Sequence, residues 1–294
     1  MASASAGSST PPADGAGAPP PSGPSPFGEC LADVPPPLVP PLGMFSRMLT
    51  LGVVGAFSKF VVSVMNRATC SNYDTLRHHM TERPRPRGLI TVSNHSSTFD
   101  DPGVLSYLIP ASYFATEPSH NGVRWTICTR EICASSPLVH MFFTAGKTVP
   151  IDRGGGLNQR VLETMAERLA RGDWLHVFPE GRVNREPWAL ARLKWGLGKM
   201  LCDVDRLGGE APVVIPFWHS GMERVKRYGT WGFFPFNHVH VTVGDRIDFT
   251  DLTAKCGRCR DDKQREALYK EMVARVEEKM RETRDKNKTE RETA

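Results

Sequence analysis

A histidine and an aspartate, His95 and Asp100, follow a short β-branched segment, Leu89-Ile90-Thr91-Val92. Asp101-Pro102 predicts a helix with proline at its first helical position, so His95 is expected on the turn between a strand and that helix. At this spacing the carboxylate can bond one imidazole nitrogen and fix the tautomer, which leaves the other nitrogen as a general base. Taken alone, the pair is explained more simply by a helix-capping Asp100 and an incidental surface histidine.

The sequence around this pair offers no protein nucleophile. Neither a Gly-x-Ser-x-Gly motif nor a cysteine lies near the predicted turn. We therefore expect His95 and Asp100 to activate a hydroxyl group of a substrate rather than a side chain of the protein. For the same reason a soluble esterase is not favoured.

Two further segments end in groups that suit phosphate and hydroxyl ligands. Thr148–Ile151 is typical of a strand, and it runs into Asp152, Arg153 and three glycines. Glycine lets a ligand approach the backbone, and arginine can bind a phosphate through two hydrogen bonds, although a flexible turn with a solvated Arg153 fits as well. A second strand, Trp174–Phe178, precedes Glu180 and Arg182. Glu180 can accept hydrogen bonds from glycerol hydroxyls, and Arg182 can meet a phosphate.

The pattern of apolar segments predicts the fold class. Five segments are candidate strands, at residues 89–92, 148–151, 174–178, 212–215 and 238–243. A four-residue spacing of apolar side chains from Leu157 to Leu169 predicts a helix between two of them. Continuous apolar strands that alternate with helices predict an α/β fold with a mixed, largely parallel sheet covered by helices on both sides.

Composition divides the chain into four parts. Residues 1–43 are rich in Pro, Ala, Ser and Gly and are expected to be disordered. Residues 44–87 hold an apolar helix over 44–66 and a basic linker, 88–250 the α/β domain, and 251–294 a charged helix. We expect the apolar helix to associate with a membrane and Lys59 to reach the headgroups. The alternative is a core helix of a soluble domain.

The charged tail carries its own pattern. Glu266–Lys270 and Glu271–Arg275 have the spacing of ion pairs along one helix. One apolar stripe predicts that this helix packs on its own domain rather than in a coiled coil; the stripe comprises Tyr269, Met272, Val273, Val276 and Met280.

Charge and cysteine content exclude several classes of protein. The chain has 294 residues and a formal net charge of +5, which falls short of a dedicated nucleic-acid binder but suits anionic lipid. The seven cysteines are scattered and odd in number, so unpaired thiols in a reducing compartment are expected. Cys256-x-x-Cys259 lacks the second pair that a zinc site needs, so no metal is expected.

Together, the blocks His95-x4-Asp100, Val149-Pro150-Ile151-Asp152-Arg153, Phe178-Pro179-Glu180-Gly181 and Val214-Ile215-Pro216 resemble the glycerolipid acyltransferase family of the 1-acylglycerol-phosphate type. The likeness covers about residues 44–250. It implies a mixed α/β domain beside an N-terminal membrane-binding element, and His95 and Asp100 as the catalytic pair. It also implies that Arg153, Glu180, Gly181 and Arg182 hold the phosphoglycerol head of the substrate.

The resemblance further implies acyl transfer between a phospholipid and a lysophospholipid, including the remodelling of cardiolipin, at a mitochondrial membrane. No metal and no cofactor are required, because His95 alone supplies the base. The first alternative uses acyl-CoA as the donor substrate, which suits the endoplasmic reticulum. The second is a non-catalytic lipid-binding protein that uses the apolar helix and the basic residues 83–87.

Overall fold

The computed structural model describes residues 43–116 and 122–293, and one seven-stranded sheet lies at its centre. The strands are β1 (Arg67–Ser71), β2 (Leu89–Ser93), β3 (Trp125–Thr129), β4 (Thr148–Ile151), β5 (Trp174–Val177), β6 (Val213–Ser220) and β7 (His238–Val243). Their order is β1-β7-β6-β2-β5-β3-β4, and only β6 and β7 pair antiparallel. The predicted α/β class with a largely parallel sheet is therefore confirmed.

Helices cover both faces of this sheet. They are α1 (Gly43–Ser63), α2 (Tyr73–Thr81), α3 (Asp100–Leu108), α4 (Ala111–Thr116), α5 (Arg130–Cys133), α6 (Pro137–Ala145), α7 (Arg160–Ala170), α8 (Gly196–Arg206), α9 (Met222–Val225), α10 (Thr250–Thr253) and α11 (Asp262–Glu292). A 3₁₀ turn spans Cys256–Arg258. The apolar residues of α7, α8 and α11 pack on one face of the sheet, and those of α1, α2 and α3 pack on the other.

Burial explains which strands the sequence could predict. Every residue of β2 and of β6 is buried, as expected for strands covered on both faces. Neither β1 nor β3 was expected. β1 is a half-exposed edge strand without an apolar run, and β3 alternates apolar and polar side chains. Their positions are fixed by pairing with β7 and with β4 and β5.

Helix α1 packs on the domain along one side and leaves its other side bare. Leu51, Gly55 and Val62 are buried against the helical layer that contains α3. Val53 and Phe60 are at least half exposed. Among the described residues α1 is the one helix long and apolar enough to cross a membrane, by length and composition only. The expected helix at residues 44–66 is present, and it is partly a core helix as well. The predicted disordered tract lies outside the described residues as far as residue 42.

The contacts of Lys59 and of the basic linker differ from expectation. The ammonium group of the half-buried Lys59 donates to the carbonyls of Ile109 (2.7 Å) and Tyr107 (3.3 Å) at the end of α3, so it is bonded to the backbone of the domain. In the linker, the buried Arg83 guanidinium donates to three backbone carbonyls, and burial lowers its pKa to about 10. Arg87 donates to the carbonyl of Ala211. Arg83 and Arg87 are therefore bonded to the backbone of the domain, whereas Arg85 between them is exposed.

The cysteines depart from expectation in one place. Cys202 on α8 and Cys256 form a disulfide that closes a sequence separation of 54 residues. The expectation of unpaired thiols is therefore wrong for these two residues, because the fold brings together positions that no local pattern connects. Cys256 is thereby committed to a sulfur–sulfur bond and is not half of a metal site with Cys259.

The tail helix packs as predicted but pairs differently. All five residues of its apolar stripe are buried against the domain. Asp261 caps the helix by accepting from the amide of Gln264 (2.8 Å). The predicted pair Glu271–Arg275 does not form, because Glu271 pairs with Lys255 and Arg275 with Asp251 on the neighbouring α10 segment.

Candidate active site

His95 and Asp100 meet at the carboxyl end of β2. His95 Nδ1 lies 3.0 Å from Asp100 Oδ2, and the carboxylate is 1% exposed. The same oxygen accepts the backbone amides of Ser96 (2.7 Å) and Ser97 (2.8 Å). A carboxylate oxygen held by amide donors is an acceptor, so Nδ1 carries the proton and Nε2 is left as the base. The pair is therefore assembled, and His95 is not an incidental surface residue.

The helix that follows begins almost as predicted. Asp101 has a non-helical backbone (φ −116°, ψ 111°), so the regular part of α3 starts at Pro102. The break lets Asp100 turn back toward the strand end instead of pointing along the helix. Its carboxylate then accepts the amides that precede the helix as well as the imidazole.

The imidazole ring and backbone of His95 are held from the neighbouring strand. Phe178, directly after β5, stacks on the ring with centroids 4.0 Å apart and an interplanar angle of 16°. The amide of His95 donates to Glu180 Oε1 (3.1 Å), and its carbonyl accepts from the amide of Asn184 (2.6 Å). These contacts fix the orientation of the imidazole, which is what a general base requires.

Glu180 is placed differently from its expected role. Its side chain is buried, and Oε2 accepts from Asn184 Nδ2 (2.9 Å) and from the amide of Ala191 (3.0 Å). With Oε1 on the amide of His95, both oxygens already have protein donors. The geometry makes Glu180 a residue that positions His95, because a substrate hydroxyl would have to compete with these buried donors.

The other three predicted binding residues lie around the same end of the sheet. Gly181 has φ 68°, a left-handed conformation that favours glycine, and it lines the cavity beside His95. Arg153 and Arg182 are exposed after β4 and β5, and neither side chain bonds another residue in the described part of the chain. The structure does not bring either arginine into contact with His95 or Asp100.

His219, at the end of β6, is a site residue that the sequence argument missed. It is fully buried, with Nε2 2.9 Å from the carbonyl of Asn94 and 3.5 Å from Asp100 Oδ2. A carbonyl only accepts, so His219 Nε2 carries a proton and donates it to the carbonyl of Asn94, while the imidazole edge lies beside the Asp100 carboxylate. The available signal was a histidine at the end of a strand that otherwise looks like pure core.

A cavity of about 500 Å³ begins at His95 and extends beneath α1. Its lining runs from the carboxyl ends of the strands, at Phe178 and Gly181, to their amino ends, at Val123 and Gly146. Leu51, Val54, Gly55 and Phe57 of α1 form one wall, and most of the remaining lining is apolar. A mainly apolar cavity with one reactive group at its end suits a fatty chain attached to a polar head.

Buried charges line the far end of this cavity. Arg124 pairs with Asp101 and donates to the carbonyl of Gly146 (3.2 Å). Behind it, Arg47 and Lys147 lie over the Trp125 ring at 5.1 and 5.0 Å. Burial lowers the pKa of Lys147 to about 7, with the nearby arginines adding to the effect. None of these charged contacts was expected from the sequence.

Within residues 43–116 and 122–293, no cluster of three or more His, Cys, Asp or Glu side chains is arranged to hold a metal ion. The groups present at the site are an imidazole, a carboxylate that orients it, and an apolar chamber beside them.

A family model described as Acyltransferase matches residues 74–220, which contain His95, Asp100 and all four predicted binding residues. The chain belongs to the acyltransferase family, a family of enzymes. It is similar to two proteins that are named as tafazzins. It is 34% identical to tafazzin of Drosophila melanogaster and 31% identical to "Taffazin" of Dictyostelium discoideum. It is also 35% identical to the N-acylphosphatidylethanolamine synthase of Arabidopsis thaliana.

The extent of these matches differs. The Dictyostelium match covers 84% of this chain and 87% of that protein, and the Arabidopsis match covers 71% and 72%. The Drosophila match covers 69% of this chain but only 51% of that protein, so the chain spans about half the length of this relative. The resemblance to the glycerolipid acyltransferases that the sequence motifs indicated is thereby confirmed at the level of the family.

Proposed function

We propose that this protein is a tafazzin-like transacylase that moves an acyl chain from a phospholipid to the free hydroxyl of a lysophospholipid, including lysolipids derived from cardiolipin. The observation that carries the proposal is the oriented pair His95–Asp100 at the end of an apolar cavity of about 500 Å³. The base can reach a lipid hydroxyl at the cavity entrance while the acyl chain occupies the apolar interior.

The reaction follows from the atoms at the site. His95 Nε2 takes the proton of the lysolipid hydroxyl as that oxygen attacks the ester carbonyl of the donor. Asp100 Oδ2 stabilises the imidazolium, since the Nδ1 proton already lies on it. The tetrahedral intermediate then expels the donor's glycerol oxygen, which takes back the proton from Nε2. One ester bond breaks and one forms, so no cofactor is consumed; a positioned base contributes about 10²–10⁴-fold to such a step.

The headgroup is proposed to lie over the carboxyl ends of β4 and β5. Arg153 and Arg182 are exposed there and suit phosphate oxygens. Gly181 permits close approach of the lipid to the backbone, and Glu180 contributes by holding the amide of His95.

The first test supplies purified protein with a labelled lysophospholipid and a phospholipid donor, with and without acyl-CoA. Transfer without acyl-CoA is expected. Transfer only with acyl-CoA would identify the alternative, an acyl-CoA-dependent lysophospholipid acyltransferase.

The second test replaces the base. His95→Ala is expected to lose at least 10²-fold in turnover, because it removes the base. Since the ring is only 19% exposed and stacks on Phe178, thermal unfolding and lipid binding of the variant are measured alongside, and both are expected to persist. Lys263→Ala, which removes an exposed charge of α11 outside the cavity, is the control for general damage. Undiminished turnover in His95→Ala would contradict the assignment of His95 as the base, whereas lipid binding without any transfer by the wild type would leave the non-catalytic lipid-binding alternative.

The likeness to the Arabidopsis synthase adds a candidate acceptor. The same base could take a proton from a headgroup amine of phosphatidylethanolamine, which would give an amide in place of an ester. The two products separate by mild alkaline hydrolysis, which cleaves esters and leaves amides intact.

Membrane association is proposed through the bare apolar side of α1, and the location is proposed to be a mitochondrial membrane. The long apolar α1 and the likeness to tafazzins support this. Imaging of a C-terminal fluorescent fusion, with and without residues 1–43, tests it; an endoplasmic-reticulum pattern would favour the acyl-CoA alternative.

A further inference from the structure

The loop between α9 and β7 exposes large aromatic side chains to solvent. Trp231 is 99% exposed and Phe236 is 95% exposed, more than any other large apolar residue in the described ranges. Tyr228 in the same loop is 60% exposed. Aromatic surface in water is unfavourable, and tryptophan in particular prefers the boundary between water and lipid.

This loop is fixed in place. The amide of Phe236 donates to the carbonyl of Met65 (2.8 Å), and the amide of Arg67 donates to the carbonyl of Asn237 (2.9 Å). The amide of Phe234 donates to the carbonyl of Val225 (2.8 Å). Phe236 also has φ 63°, a left-handed conformation that is rare for a bulky aromatic residue. The backbone bonds and the unusual φ therefore hold Phe236 outward at a conformational cost, which is a reason to look for a function of this surface.

The loop lies between α1 and the catalytic turn. The ring of Phe233 packs on Phe57 of α1 (5.5 Å) and on Phe99 (4.6 Å), the residue before Asp100. Ser97 Oγ donates to the carbonyl of Lys226 (2.9 Å). Because Phe57 and Phe99 also line the cavity, the loop and the bare side of α1 border the same chamber.

The charge of the segment favours an anionic partner. Residues 222–236 contain Arg224, Lys226 and Arg227 against a single acid, Glu223, which gives a net charge of +2. Arg227 lies over the ring of Phe234 at 4.1 Å, so its cation sits beside the aromatic surface. Basic residues next to exposed aromatic rings match the headgroup region of a bilayer with anionic lipid.

We propose that residues 226–237 form a second membrane contact beside α1, in which Trp231 and Phe236 enter the headgroup region of an anionic bilayer. With α1 on one side and this loop on the other, the entrance at His95 would face the lipid surface, so a substrate could enter without crossing water. The inference rests on the proposed function for the identity of that lipid surface as the source of substrate.

The test compares the full chain with the double variant Trp231→Ser/Phe236→Ser in co-sedimentation with vesicles of phosphatidylcholine containing about 30% phosphatidylglycerol. We expect the partition coefficient to fall about tenfold, with the thermal midpoint unchanged because both side chains are exposed. Leu207→Ser is the matched control. It removes an exposed apolar side chain at the end of α8, which lies on the face of the sheet opposite to α1. Trp231→Phe should keep the partition but lose quenching of tryptophan fluorescence by brominated lipid.

Equal partition of the double variant and the wild type would overturn the proposal, as would an equal fall in Leu207→Ser. A wild-type dimer that the double variant abolishes, with vesicle binding unchanged, would assign the surface to a second copy of the chain and also overturn it. Transfer activity toward lysolipid in detergent micelles should be unaffected by the double variant. If the wild type shows no transfer at all, the proposed function fails, and the vesicle result still decides the membrane contact.

Discussion

At the scale of single residues, the arrangement around His95 combines one short-range contact, with Asp100, and contacts from distant parts of the chain. His95 and Asp100 could be predicted because five positions at a strand-to-helix turn already place them within reach of each other. The donors to Glu180 come from Asn184 and Ala191 in an irregular segment, and His219 arrives from a strand more than a hundred residues away. Contacts of this kind depend on how strands are ordered in the sheet, which no local spacing specifies.

The role of Glu180 is the sharpest test at this scale. In Glu180→Gln, one carboxylate oxygen becomes an amino group that faces a buried donor, either the amide of His95 or the pair from Asn184 and Ala191. We expect a loss of about 1–3 kcal/mol in the free energy of unfolding and a fall in kcat with little change in KM. Urea unfolding and steady-state kinetics measure both.

Arg182→Ala provides the comparison, because its exposed side chain is proposed to meet the headgroup. That variant should raise KM and leave the unfolding free energy unchanged. If Glu180→Gln instead raises KM alone, with stability intact, then the carboxylate binds substrate as the sequence suggested.

At the scale of elements, the helices and strands that could be predicted from the sequence are those with a clear apolar pattern. The fully buried strands β2 and β6 and the stripe of α11 were visible as apolar periodicity, whereas the edge strand β1 and the polar β3 were not. Lys59 shows the same limit: its charge suggested a surface position, but the end of α3 supplies carbonyl acceptors that the sequence of α1 does not contain.

We expect helix α1 to pack on the core of the domain with one side and to contact the membrane with the other. Val62 is 0% exposed and Val53 is 60% exposed, so the same substitution probes each side. Val62→Ser should lower the free energy of unfolding by about 2–3 kcal/mol, because it leaves a cavity and buries a hydroxyl. Val53→Ser should leave stability within about 0.5 kcal/mol but weaken vesicle partition about fivefold. Equal effects of both variants on stability, with none on partition, would make α1 an ordinary core helix.

At the scale of the whole molecule, stability depends on charges that the fold buries beneath the catalytic chamber. Lys147 packs over Trp125, faces Arg47, Arg124, Arg168 and Asp173, and has its pKa lowered from 10.5 to about 7, chiefly by burial. Between these two values the unfolded chain holds a proton on Lys147 that the folded chain does not. The stability of the fold should therefore rise with pH across this window, by up to about 1.4 kcal/mol per pH unit, and the slope should vanish below pH 7, where both states are protonated.

Lys147→Met tests this dependence, because methionine has a similar length and fills the same space without a charge. We expect the variant to lose the upward slope between about pH 7 and 10, so that its stability relative to the wild type is greatest at pH 7 and declines as the pH rises. Urea unfolding at several pH values measures the slope, and Lys194→Met, which removes an exposed lysine, controls for net charge. A slope that survives in Lys147→Met would mean that another group titrates there. The burial of Lys147 would then be maintained by Trp125 and the carbonyl of Val123 with the ammonium still charged in the folded protein.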